Sequence, residues 1–101
     1  MMSATIEQIA KCYLVLLTSL ASSAERGEPI GDLPQVIANL CAKRMYEAGA
    51  NELEIEDHFG ARIKTYLDRT PECKKRYRSV LETAHLHILI CTTLGQKIKR
   101  K

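Results

Sequence analysis

Apolar residues recur at spacings of three and four along most of the chain, and glycine or proline breaks that pattern near Gly27, Gly49, Gly60, Pro71 and Gly95. No stretch alternates apolar and polar residues as a half-buried strand requires, and no internal repeat or low-complexity segment occurs. The pattern predicts an all-α fold, a compact bundle of five helices. With 101 residues there is room for one domain and one core.

The punctuation sets the expected boundaries. Thr5 and Gln8 fit a capping box at the start of a helix running to about Ala24, with Ile6, Ile9, Tyr13, Leu16, Leu17 and Leu20 along its stripe. A linker follows over residues 25–33, where Gly27, Pro29 and Gly31 forbid a continuous helix. Asp32 is placed to cap a second helix, which Gly49 ends in a left-handed C′ position. Asn51 caps a third that stops at Gly60, and a fourth runs from Ile63 to Arg69. Thr70-Pro71-Glu72 then reads as the start of a long last helix, closed by Gly95 and followed by a basic tail over 96–101.

Charge is segregated along this plan. Residues 1–60 hold 4 Lys/Arg and 9 Asp/Glu, whereas residues 61–101 hold 11 and 3. The sign changes at Gly60, between two short predicted helices. A helix–turn–helix places apolar residues at the fourth and eighth positions of its first helix, here Ile55 and Phe59, and glycine at the turn, here Gly60. Tyr66 is expected to anchor the second helix inward. Arg62, Lys64 and Thr65 then face outward where base edges are reached. Arg69, Lys74, Lys75, Arg76 and Arg78 extend the cations into the long helix, where they suit phosphates. The terminal Lys97 to Lys101 run suits a second phosphate-contacting arm.

These segments resemble the DNA-binding part of phage terminase small subunits and related phage or transposase helix–turn–helix domains. The residues concerned are Tyr46-Glu-Ala-Gly-Ala, Glu54-Ile-Glu-Asp-His-Phe-Gly, Lys64-Thr-Tyr-Leu and Thr70-Pro-Glu-Cys-Lys-Lys-Arg-Tyr-Arg, within about residues 36–88. The resemblance implies duplex DNA as the partner, bound at a packaging or regulatory site by an oligomer. Glu56 stands where that pattern has a small residue, Arg69 where it has an apolar anchor, and Cys73 where it has Phe. The rival expectation is a small helical inhibitor or adaptor that docks the same basic face onto an acidic partner protein.

Other chemistry is sparse. Cys12, Cys41, Cys73 and Cys91 form no C-x-x-C pair, and reduced, buried thiols in a cytoplasmic setting are expected, with a secreted two-disulfide framework as the alternative that the even count allows. The apolar run from Cys12 to Ala21 lacks a basic leader and is too short to span a membrane. Glu52, Glu54, Glu56 and Asp57 crowd the first turns of a helix, where they complement its dipole. His85 and His87 are two apart and cannot chelate one ion together. No metal, no cofactor and no catalytic residues are expected, so the chain reads as a non-enzyme. The long helix is apolar almost all round from Leu86 to Cys91, which predicts a homo-oligomer formed through the first and last helices.

Overall fold

The computed structural model describes residues 5–99, with side chains through Gly95. The chain is helical, with no strand among the described residues, and it forms four helices rather than five. Helix α1 spans Ile6–Glu25, α2 spans Leu33–Glu47, α3 spans residues 52–69, and α4 spans Lys75–Lys99.

The predicted starts of α1 and α3 are realised by reciprocal capping boxes. The Gln8 N–H donates to the Thr5 hydroxyl at 3.1 Å while the Gln8 amide oxygen takes the Thr5 N–H at 2.9 Å. Asn51 and Glu54 repeat the exchange at 2.9 and 3.2 Å. Asp32 precedes α2 without a side-chain capping bond. Gly49, at φ 75°, closes α2 in a Schellman motif: the Ala50 N–H reaches the Met45 carbonyl and the Gly49 N–H the Tyr46 carbonyl, both at 3.0 Å.

Gly60 does not form a turn. Its φ of −59° and ψ of −44° are helical, and the Ala61 N–H bonds to the Glu56 carbonyl. The segments expected as third and fourth helices are therefore one helix, widened to a π-turn over Glu56–Gly60. Glycine is needed there for room rather than for backbone freedom. A Cβ at residue 60 would stand 2.9 Å from Glu56 Oε2 and 3.0 Å from His85 Nε2.

The last helix also starts later than predicted. Thr70 ends α3 in extended backbone, and its hydroxyl donates to the Tyr66 carbonyl at 2.7 Å. Residues 70–74 turn the chain, with the Lys74 N–H on the Pro71 carbonyl at 3.0 Å. Arg78 explains the open corner: its guanidinium donates to the Leu67 carbonyl at 2.7 Å and the Thr70 carbonyl at 3.2 Å, filling the end of α3. Gly95 lies inside α4 instead of closing it, and its lack of a side chain leaves room for the Tyr46 ring, whose Cδ1 would stand 2.9 Å from a Cβ there.

Helices α1, α2 and α4 pack against one another, and α3 sets its π-turn on α1 and its ends on α4. The centre holds Leu14, Leu17, Cys41, Met45, Ile55, Phe59, Leu81 and Ile88. Thr92 is the polar exception, its hydroxyl directed at the Ala42 carbonyl at 3.4 Å. Of the four cysteines expected to be buried, only Cys41 is. Burial pushes its thiol up to about 12.

Candidate nucleic-acid interface

The second half of α3 is strongly two-sided. Ile63 is buried and Leu67 half-buried, while Arg62, Thr65, Tyr66 and Arg69 line one shallow cavity of about 280 Å³. Their spacing of three, four and seven places them on one helix face. Tyr66, predicted as the inward anchor, is 41% exposed, and Ile63 takes that role. Lys64 is exposed and sits about 200° around the helix from Arg62, so the structure separates it from Arg62 and Thr65, the other two predicted base-contacting residues.

Arg62 is partly engaged. Its Nη2 lies 3.5 Å from Glu7 Oε1, which also holds Lys11 Nζ at 3.1 Å. The Lys11 hydrogen bond is the chief cause that keeps the Glu7 carboxyl below its usual range, with Arg62 a smaller contributor. The Thr65 hydroxyl donates to the Ala61 carbonyl at 3.1 Å.

Lys74, Lys75 and Arg76 are exposed at the corner between α3 and α4. Among the described residues, neither they nor Lys64 nor Arg69 makes an ion pair. Arg78 is different: its guanidinium is committed to the α3 carbonyls, a role that its place in a run of cations conceals. The first turn of α4 is also occupied, since Glu25 accepts the Tyr77 N–H at 3.2 Å. An anion at this corner therefore meets side-chain cations.

The acidic half of α3 is spent on structure. Glu54 serves the capping box, and Glu56 Oε1 lies 2.7 Å from His85 Nε2, a pair that closes over the π-turn beside Phe59. Among the described residues no three His, Cys, Asp or Glu side chains gather as a metal site, and no helix is long and apolar enough to cross a membrane. The side chains of 97–101, expected as a second basic arm, lie outside the described residues. Comparison with family models, with curated proteins and with solved structures finds no match to this chain.

Proposed function

We propose that this protein is a non-enzymatic DNA-binding protein of phage or mobile-element type, similar to a terminase small subunit, whose corner between α3 and α4 grips duplex DNA. One observation carries the reading: Lys64, Arg69, Lys74, Lys75 and Arg76 are exposed within one short stretch and have no carboxylate partner among the described residues. Cations held this way neutralise phosphates and release counterions. The helix–turn–helix in this reading is α3, the turn at 70–74 and α4, so its turn falls ten residues beyond Gly60. Arg62, Thr65, Tyr66 and Arg69 would add donors and an exposed ring on the adjoining face, a combination suited to nucleic acid.

Self-association fits the same reading. Val15 and Leu16 on α1 and Leu86, Ile90 and Leu94 on α4 are all exposed, although each is a large apolar side chain. Two linked copies would double the phosphate contacts offered to one duplex.

Fluorescence anisotropy with a labelled duplex at two salt concentrations tests the proposal. The logarithm of the affinity should fall steeply with salt, and replacing Lys74, Lys75 and Arg76 by Ala should flatten the slope by roughly one for each phosphate no longer neutralised. Binding weaker than about 10⁻⁴ M at low salt would overturn it and leave the acidic protein partner as the better reading.

A further inference from the structure

Helix α2 carries an apolar stripe on its outer side. Leu33, Val36 and Leu40 recur at spacings of three and four, away from the buried Ala38, Cys41, Ala42 and Met45, and each is exposed. Charge is laid out along the same stripe. Asp32 stands at its N-terminal end, exposed and without a capping bond, while Lys43 and Arg44 continue it at the C-terminal end and are exposed as well. Among the described residues none of these three makes an ion pair. Asp32 and Lys43 are about 16 Å apart along the helix, so they cannot reach each other within one chain.

This layout is complementary to itself in one orientation only. A second α2 running parallel would set Asp32 against Asp32 and Lys43 against Lys43. An antiparallel one, with Val36 against the second copy's Leu40, sets Asp32 beside Lys43, and two-fold symmetry makes that contact twice. A partner of unrelated sequence would require no such reversal of sign about the centre of the stripe.

Three side chains fall short of the roughly 800 Å² that a stable interface takes from each partner. The neighbouring helix supplies more. Asn39 contacts His87, and the Thr92 hydroxyl is directed at the Ala42 carbonyl, so α2 and α4 run parallel, with residues 86–94 beside the C-terminal half of α2. In the antiparallel arrangement the exposed Leu86, Ile90 and Leu94 then come level with Leu33 and Val36 of the second copy.

We infer, given the self-association proposed above, that the second copy docks on α2 rather than α1, antiparallel and two-fold, with the outer stripe of α4 completing the contact.

Sedimentation equilibrium on the full chain tests this. The parent should be a dimer, and Val36→Glu with Leu40→Glu should make it a monomer whose melting curve stays near that of the parent. Asp32→Lys and Lys43→Asp should each weaken the dimer about tenfold, because attraction becomes repulsion at two symmetry-related places, and the two together should regain most of the loss. Circular dichroism melts establish that each variant is folded. A dimer untouched by Val36→Glu with Leu40→Glu would overturn the seat on α2 and leave self-association standing, whereas a monomeric parent would overturn both. A double reversal no tighter than the single ones would overturn the antiparallel orientation.

Discussion

Gly60→Ala separates two reasons for a glycine at this position. In the interior of a helix the change should stabilise by about 1 kcal/mol, from helix propensity alone. Against that stands the crowding: the new Cβ would lie 2.9 Å from Glu56 Oε2, 3.0 Å from His85 Nε2 and 3.2 Å from His85 Cε1. Those side chains hold each other at 2.7 Å, so making room means opening their contact or shifting α4. Overpacking of this kind costs about 1–3 kcal/mol, leaving a net change between zero and a loss of about 2 kcal/mol. With His85→Ala the obstacle is gone and the Glu56 carboxylate can swing into solvent. Gly60→Ala should then stabilise by about 1 kcal/mol. Urea unfolding of the four proteins, followed by far-ultraviolet circular dichroism, closes the double-mutant cycle and should return a coupling of about 1–3 kcal/mol. An equal loss in both backgrounds would refute the reasoning. It would mean that residue 60 needs a left-handed backbone and that α3 is broken there by a turn.

Arg78→Ala should cost about 1.5–3 kcal/mol in stability, because the Leu67 and Thr70 carbonyls lose a charged donor, and it should leave the salt slope of DNA binding unchanged. Arg76→Ala should do the reverse in the same two assays. Cys41, buried and with its thiol pushed up to about 12, should resist an aromatic disulfide reagent in the native protein and react once urea unfolds the chain. Leu86→Glu with Ile90→Glu should leave the melting curve near that of the parent, since both side chains face out, and should shift sedimentation equilibrium from oligomer to monomer. A parent protein that sediments as a monomer would remove the self-association proposal.

Much of the helical plan was legible because its signals are local. The Thr5–Gln8 and Asn51–Glu54 boxes and the Gly49 terminator each act within a few residues, and the apolar spacing gave Ile55 and Phe59 their inward places. What the sequence concealed was decided across the fold. Gly60 and Gly95 look like helix breakers, yet each is a seat for a side chain from another helix, His85 in one case and Tyr46 in the other. Arg78 looks like part of a cationic run until the α3 carbonyls are seen under it. The basic residues of α3 were visible as a set. Their division between one face and Lys64 depended on α3 being continuous, which the reading of Gly60 as a turn obscured. His87 and Cys91 stand one turn apart in the sequence, but Asn39 joins them only when α2 packs on α4.

The charge reversal at residue 60 now falls inside a single helix, which changes what it can be taken to mean. Carboxylates at Glu52, Glu54, Glu56 and Asp57 occupy the positive end of α3, and Arg62, Lys64 and Arg69 lie toward its negative end. Glu52 and Glu54 in the first turn and Arg69 in the last suit the helix dipole, so the reversal of sign along α3 is by itself no sign of a ligand. Lys74, Lys75 and Arg76 are the opposite case. They sit at the positive end of a 25-residue helix, where each cation is unfavourable by about 0.3–1 kcal/mol, offset only in part by Glu25. The dipole does not favour these three, which fits the proposed contact with phosphates. Lys74→Glu with Lys75→Glu should therefore raise unfolding stability, by about 0.3–1 kcal/mol for each site, while weakening DNA binding. Stability and affinity moving in opposite directions is the signature of residues placed for a partner. A variant that lost stability along with affinity would show the cations to be part of the fold, and the corner would lose its claim to be the binding site.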